Sequence, residues 1–252
     1  METKKFLEKV LGDGYYSVLG LGDKKVQSFH ATIDDVISRA NELDAEGTNA
    51  YFGLATFTTS NDRKVTNVKS LSSFYLDLDC GVGKEYPDQN TAFHDLKRFV
   101  KETGLPRPML INSGYGIHVY WVLTESVSYG EWLPVAQGLK DMCIQHNLSA
   151  DNGVTADAAR VLRVPGTRNH KRGTHKPVMF FGTGEFRDVE FDEFARLIGK
   201  EGVNVPTKVD NEESAFKKAI IENSEFGFKN ILTKTMKGTG CEQLKKHNGE
   251  PT

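Results

Sequence analysis

Residues 74–81 place two aspartates one residue apart in an otherwise apolar stretch, Phe-Tyr-Leu-Asp-Leu-Asp-Cys-Gly. This pattern predicts a β-strand, whose side chains alternate between two faces. Asp77 and Asp79 then share one face with Tyr75, roughly 6.5–7 Å apart along the strand, while the intervening apolar residues pack inward. Two anions that close repel each other unless a cation neutralises them. The pair therefore predicts a divalent metal site, with a strand-end cap as the alternative.

The composition is that of a globular protein. The chain has 252 residues, of which 38% are hydrophobic and 26% charged, enough for one large α/β domain or a main domain with a small appendage. No apolar run approaches the about 20 residues that span a bilayer, and the charged start lacks a secretory signal. We therefore expect a cytoplasmic protein with no membrane partner. Cys80, Cys143 and Cys241 are too widely spaced to predict a disulfide framework or a cysteine zinc site.

Apolar periodicity and capping residues predict the elements of a main domain over residues 1–200. Helices are predicted over 4–11, 33–46, 91–103, 129–146 and 191–198, and strands within 15–22 and over 51–58, 74–79, 109–112, 117–124 and 178–181. Thr32 or Asp34 caps the second helix. From about residue 200 the composition becomes polar. Residues 201–252 are therefore expected to be a linker and the start of a helical C-terminal segment, truncated at its end.

A second motif, Ser-Gly-Tyr-Gly-Ile-His over residues 113–118, joins two predicted strands. Its glycines permit a tight turn whose backbone N–H groups could cradle an anion, with the Ser113 hydroxyl as a further donor. Strand alternation places His118 on the polar face, beside the turn, where it could donate to a phosphate. The alternative is a plain hairpin with a surface histidine.

A third motif is strongly basic. Residues 160–176 hold six cations and no acid: Arg160, Arg163, Arg168, Lys171, Arg172 and Lys176. Apolar residues alternate with the first arginines, which indicates a packed segment rather than a solvated basic loop. Because a partly buried arginine needs an anionic partner, the segment predicts a site for a triphosphate or a nucleic-acid backbone.

The three motifs together resemble the archaeo-eukaryotic primase superfamily, specifically the primase-polymerases of phages and plasmids. The resemblance rests on Asp-x-Asp at 77–79, Ser-Gly-x-Gly-x-His at 113–118, and an Asp followed by Arg-Val-Leu-Arg-Val-Pro-Gly-Thr-x-Asn-x-Lys at 160–171. It covers roughly residues 51–181. It implies an α/β (α+β) fold in which an N-terminal α/β unit packs with an RRM-like unit around a mostly antiparallel sheet, followed here by a small helical tail.

The resemblance also implies an acidic catalytic centre. Asp77 and Asp79 match the metal-binding acids, and Asp151 matches the third, with Asp157 as a rival in the same loop. The implied cofactor is Mg²⁺ or Mn²⁺ in a two-metal site. His118 is the fourth residue of this catalytic set.

The remaining matched positions imply nucleotide binding. The turn residues Ser113, Gly114 and Gly116 match the motif that, with His118, contacts the phosphates of the incoming nucleotide. The implied basic partners are Arg163 and Lys171, and Arg160 either joins them or pairs with Asp157. The resemblance assigns no role to Arg168.

The implied function is a DNA primase-polymerase that makes and extends primers on single-stranded DNA during replication. Its partners would be template, primer, nucleoside triphosphates and a C-terminal helicase region of the same protein, in the host cytoplasm if a phage encodes it. One alternative is a metal-dependent nuclease or replication initiator, although His118-Val119-Tyr120 lacks the second histidine of initiators. The other is a non-catalytic RRM-like module, which requires exposed aromatic pairs on the sheet.

Overall fold

A computed structural model describes residues 2–173, 175–181 and 186–199, with the side chain of Arg172 left out. The described residues form five α-helices, α1 (Thr3–Val10), α2 (Ile33–Ala45), α3 (Gln89–Thr103), α4 (Tyr129–Gln145) and α5 (Phe191–Leu197). Each prediction of a helix is confirmed, with ends that differ by at most two residues. The helix and tail predicted beyond residue 200 lie outside the described residues.

The described strands form three antiparallel sheets. The strands are β1 (Tyr16–Leu21), β2 (Lys25–His30), β3 (Asn49–Gly53), β4 (Ala55–Phe57), β5 (Val68–Asp79), β6 (Met109–Asn112), β7 (Gly116–Val127), β8 (Val161–Arg163), β9 (Arg168–Asn169), β10 (Lys176–Pro177) and β11 (Met179–Phe180). One sheet has the order β11-β6-β7-β5-β4, a second has the order β2-β1-β3-β8, and β9 pairs with β10.

Local signals explain where the helices begin and end. Thr32, rather than Asp34, caps α2, because its hydroxyl accepts a hydrogen bond from the Asp35 N–H at 3.2 Å. Ser128 and Glu131 form a reciprocal capping box at the start of α4. Gly104 ends α3 in the left-handed conformation, which glycine adopts without steric cost.

One predicted strand is divided in the structure, and no strand is predicted where β2, β8, β9 and β10 lie. The strand predicted over 51–58 is two strands, β3 and β4, which belong to different sheets. The chain changes sheets at Leu54, whose N–H donates to the Arg160 carbonyl oxygen at 3.1 Å. Strand β2 was not predicted, because it lies at a sheet edge and is largely exposed, so its sequence lacks apolar alternation.

The apolar face of β5 packs against helices, as its alternation predicts. The Phe74 ring stacks on Phe194 of α5 at a centroid distance of 4.5 Å and on Trp132 of α4 at 5.8 Å. Trp121 of β7, the cross-strand partner of Phe74, also contacts Phe194. This face therefore forms the larger part of the core between the five-stranded sheet and the helices.

The opposite face of the same sheet is covered at one end and open at the other. Tyr75 and its cross-strand partner Tyr120 are wholly buried. Phe6 of α1 covers this end, with its ring 5.2 Å from Tyr120 and 5.8 Å from Phe52 of β3. The aspartates at the other end of β5 keep access to solvent. Along this one face, α1 thus covers an aromatic half and leaves an acidic half accessible.

Cys80 and Cys143 are free and buried, whereas Cys241 lies outside the described residues. In the part of the chain that the structure describes, no helix is both long and apolar enough to cross a membrane.

Candidate active site

Three acids meet at the end of β5. Asp77 and Asp79 are the last alternate residues of that strand, and the Asp151 N–H donates to the Asp77 carbonyl oxygen at 2.9 Å. The rival acid, Asp157, is engaged within its own loop, where its carboxylate accepts from the Ala159 N–H at 3.0 Å. The Asp151 carboxylate also accepts within its loop, from the Gly153 N–H at 2.8 Å. Asp151, and not Asp157, is among the charges that raise the pKa of Asp77, so Asp151 is the acid next to the aspartate pair.

The environment of Asp77 strongly disfavours its charge. The side chain is only 18% exposed. Burial, together with the neighbouring carboxylates Asp79 and Asp151, raises the pKa of Asp77 to about 7, although Arg163 and Arg160 act in the opposite direction. A positive charge bound nearby would therefore stabilise the ionised form of Asp77.

Two of the three acids, Asp79 and Asp151, already form ion pairs with basic side chains. Lys84 Nζ is 2.6 Å from an Asp79 carboxylate oxygen. Arg160 pairs with Asp151 at 3.4 Å, and not with Asp157, the partner considered from sequence. All four side chains are about 40% exposed or more, and exposed pairs of this kind contribute little to stability. A stronger cation could therefore displace both.

The Ser-Gly-Tyr-Gly turn lies beside the acids, since Gly116 pairs with Asp79 in the β5–β7 register. Its amides are used within the turn: the Gly114 N–H donates to the Asn112 side chain at 2.8 Å, and the Gly116 N–H donates to Ser113 Oγ at 3.1 Å. In this structure these two amides are therefore occupied by neighbouring side chains. The Ser113 hydroxyl keeps its own proton to donate.

His118 is opposite Asp77 in the same register, with Nε2 3.9 Å from a carboxylate oxygen. The side chain is 2% exposed, so the alternative of a surface histidine is wrong. Burial, with a smaller effect of Arg163, lowers the pKa of His118 to about 3. His118 is therefore a neutral imidazole at physiological pH, and its Nδ1 has no hydrogen-bond partner in the described structure.

Arg163 is a buried cation at the end of β8, in the other sheet. Its guanidinium lies over the Tyr51 ring at 4.7 Å and donates to the Asn49 side chain at 3.3 Å. Its Nε has no partner, and no ion pair to it occurs among the described residues. The expected packing of this segment is confirmed, and the buried charge faces the Asp77 end of the sheet.

Lys171 completes the basic side of the site. Burial and the nearby Arg163 lower the pKa of Lys171, while Asp79 and Asp77 act to raise it. The ammonium group therefore lies within the field of the two strand aspartates. Arg168 points elsewhere and pairs with Asp44.

A set of amide side chains that the sequence interpretation missed holds the turn in place. Asn169 donates to the Ser113 carbonyl oxygen at 2.7 Å and accepts from the Lys171 N–H at 3.1 Å. Gln89, at the start of α3, donates to the Asn112 side chain at 2.7 Å and to the Gly116 carbonyl oxygen at 2.8 Å. Asn169 lies within the basic motif, so the sequence offered a reason to consider it. Gln89 belongs to none of the three motifs.

Comparisons with known proteins agree with the resemblance noted in the sequence. No family model matches the chain. A replication protein of Clostridium perfringens is 30% identical over 135 residues, which are 53% of this chain and 32% of that protein. The match thus spans about a third of the length of this curated relative.

Solved structures share the fold. The archaeo-eukaryotic primase domain of the cyanophage S-2L primase-polymerase matches with a TM-score of 0.53 at 16% identity, over 73% of this chain and 89% of that one. Primase RepB' matches with a TM-score of 0.51 at 11% identity, over 94% of this chain and 70% of that one. Its catalytic domain in complex with initiator DNA matches with the same TM-score and identity, over 79% and 93%. The chain thus has the mixed, mostly antiparallel fold that the resemblance implies.

Proposed function

We propose that the chain is the catalytic domain of a DNA primase-polymerase, which transfers nucleotides from (deoxy)nucleoside triphosphates to make and extend primers on single-stranded DNA. One observation carries the proposal: Asp77, with Asp79 and Asp151 beside it, lies within the field of the buried Arg163, which forms no ion pair among the described residues. The carboxylates would be stabilised by a bound cation, and the arginine would be stabilised by a bound anion. A metal-bound triphosphate supplies both charges.

The three carboxylates fit Mg²⁺ or Mn²⁺. Carboxylate oxygens are the ligands that these hard cations prefer. The pKa of Asp77 is raised mainly by burial and further by the carboxylates of Asp79 and Asp151, which a cation would neutralise. No set of three ligands is already arranged around one point in the described structure, so binding would displace Lys84 and Arg160 from the acids. When bound, two such ions supply activation of the primer 3′-hydroxyl and stabilisation of the leaving pyrophosphate.

The protein's own side chains would bind and orient the nucleotide. Arg163 and Lys171 would pair with triphosphate oxygens, and the Ser113 hydroxyl would donate to the same group. His118 would act as a neutral donor, because its pKa of about 3 excludes a charged role near pH 7. Gly114 and Gly116 would contribute by close approach of the backbone. Catalysis would then rest on positioning and electrostatics, without a protein nucleophile.

The partners follow from the same reaction. A template and a primer of DNA are proposed, and the catalytic domain of primase RepB', which shares this fold, was solved with initiator DNA. The matched replication protein of Clostridium perfringens is about three times as long as the aligned part. We propose that a helicase region follows this domain in the full-length protein, which would act in the cytoplasm.

The buried aromatic residues do not support the alternative of an RRM-like binding module. An RRM-like module presents exposed aromatic rings on its sheet to stack on bases, but Tyr75 and Tyr120, the aromatics of this face, are wholly buried. A nuclease would use the same acids to activate water. Its product would be shortened DNA, whereas a primase-polymerase yields new or extended strands.

The test incubates the protein with a single-stranded DNA template, nucleoside triphosphates and Mn²⁺ or Mg²⁺, with and without a primer. We expect labelled product without a primer and longer product with one. Asp79→Ala should abolish incorporation with the fold retained by circular dichroism, whereas Asp141→Ala, an exposed acid of α4, should not. Degradation of the template without synthesis would favour the nuclease, and incorporation by Asp79→Ala would refute the acidic centre.

A further inference from the structure

A second cluster of ligating side chains lies beside the basic segment and has no role in the proposed reaction. His170 Nδ1 and His175 Nδ1 are 2.7 Å apart. His170 Nε2 is 2.8 Å from a carboxylate oxygen of Asp44, in the last turn of α2. The two imidazoles thus meet through the same ring nitrogen, Nδ1, in a direct hydrogen bond.

The carboxylate determines the proton arrangement of His170. Asp44 accepts a hydrogen bond from the Arg168 N–H at 2.7 Å and from the Arg168 guanidinium at 3.0 Å. Burial alone would raise the pKa of Asp44, yet the hydrogen bonds from Arg168 and His170 lower it. The ionised carboxylate accepts the Nε2–H of His170, so Nδ1 of that ring carries a lone pair.

This is the arrangement of a metal-binding histidine. A ligating imidazole commonly donates its other ring nitrogen to a carboxylate, which orients the ring and increases its basicity. His170 is 4% exposed and held rigidly by Asp44, while His175 is exposed. One ligand is therefore preorganised, and the other is free to adjust to an ion.

We propose that His170 and His175 form a two-imidazole site for a borderline transition-metal ion such as Zn²⁺, with Asp44 orienting His170 and solvent completing the coordination. Two tetrahedral ligands at 2.0–2.1 Å from zinc are about 3.3 Å apart. With His170 fixed, His175 Nδ1 would thus move by roughly 2 Å from its present position to complete a tetrahedral angle at the ion. Without the ion, the Nδ1–H of His175 donates to His170.

The site is connected to the candidate active site by two short links. The Asn49 side-chain oxygen accepts from the His170 N–H at 3.0 Å and from the Arg163 guanidinium at 3.3 Å. Lys171 lies between the two histidines in sequence and within the field of Asp77 and Asp79. An ion on the histidines would therefore restrain the segment that carries Lys171. The metal site itself does not depend on the proposed function.

The test measures Zn²⁺ binding by isothermal titration calorimetry, on the full chain without a polyhistidine tag and in excess Mg²⁺ to occupy the acids. We expect one saturable event that His175→Ala weakens at least about tenfold and Asp44→Asn weakens about 10- to 100-fold. His175 is exposed, so its variant should stay folded. The matched control is His94→Ala, which removes an exposed histidine of α3. This variant should bind Zn²⁺ as the wild type does.

Two further outcomes decide the assignment. Asp79→Ala should keep the zinc event, because the histidine site is separate from the acids, and this result would stand even if no nucleotide incorporation were found. Loss of the event in Asp79→Ala, full binding by His175→Ala, or no saturable event in the wild type would each overturn the proposal.

Discussion

At the scale of the residue, the properties of Asp77 come from its neighbours rather than from its type. Strands usually exclude aspartate, and here burial and two further carboxylates raise its pKa to about 7. The neighbouring His118 shows the opposite effect of the same burial, since its pKa falls to about 3. Burial thus disfavours the charged form of both groups, which raises the pKa of the acid and lowers the pKa of the base.

In the metal-free protein, the ionisation of Asp77 should cost stability as pH rises. The folded state holds the Asp77 proton up to about pH 7, while the unfolded chain releases it near 3.8. The contribution of Asp77 to stability should therefore fall between about pH 4 and 7, by at most about 4 kcal/mol. The lowered pKa of His118 acts in the opposite direction over an overlapping range, so the comparison with Asp77→Asn isolates the effect of Asp77. In urea unfolding with EDTA, Asp77→Asn should exceed the wild type in stability at pH 8 but not at pH 4.

The control for this prediction is Asp141→Asn, which should follow the wild type at each pH. Added Mn²⁺ at pH 8 should stabilise the wild type more than Asp77→Asn, since the variant lacks the carboxylate. Equal gains from Mn²⁺ in both proteins would contradict a role for Asp77 in metal binding.

At the scale of the element, the hairpin of β6 and β7 is held by close backbone approach. A Cβ atom on Gly116 would lie 2.4 Å from the Leu78 carbonyl oxygen of β5, and a Cβ on Gly114 would lie 2.7 Å from Asn169 Cβ. Gly114 also has φ +93°, which disfavours other residues. These glycines are therefore required by the close packing of the hairpin.

Gly116→Ala should destabilise the protein by about 2 kcal/mol or more, because backbone atoms of β5 must move to admit the methyl group. The free energy of unfolding in urea measures this effect. Gly130→Ala is the matched control: its Cβ would meet nothing closer than 4.0 Å, and it lies in α4. Alanine there should be neutral or stabilise by up to about 1 kcal/mol. A loss at Gly130 as large as at Gly116 would contradict the packing explanation.

At the scale of the molecule, the candidate active site exists only where the two larger sheets meet. The aspartates belong to β5 of the five-stranded sheet, and Arg163 belongs to β8 of the four-stranded sheet. The chain joins them through Leu54, which hydrogen-bonds to Arg160. The acidic and the basic side chains of the candidate site thus come from different sheets.

Arg163→Gln should therefore impair nucleotide use without loss of the acidic centre. We expect the KM for the nucleotide to rise about tenfold or more, since a charge-assisted contact to phosphate is lost, while template binding measured by fluorescence anisotropy stays within about twofold. Arg107→Gln, a variant of an exposed loop arginine, should leave both values unchanged. An equal loss of template and nucleotide binding by Arg163→Gln would place Arg163 on the template instead.

The sequence alone predicted what nearby residues determine. The five helices follow from caps, glycines and apolar spacing within a few positions, and the shared face of Asp77 and Asp79 follows from the period of a strand. The order of three motifs indicated the primase fold that the structural comparisons confirmed. The roles of the site residues stay predictions.

Tertiary structure alone decided which distant residues meet. It brought Asp151 rather than Asp157 beside the aspartates, buried His118, and brought the Arg163 of another sheet to their side. It also set Asp44 against His170, 126 residues away. The physical reason is range: hydrogen-bond periodicity and capping act over a few residues, whereas burial and electrostatic fields depend on contacts that form only when the sheets pack.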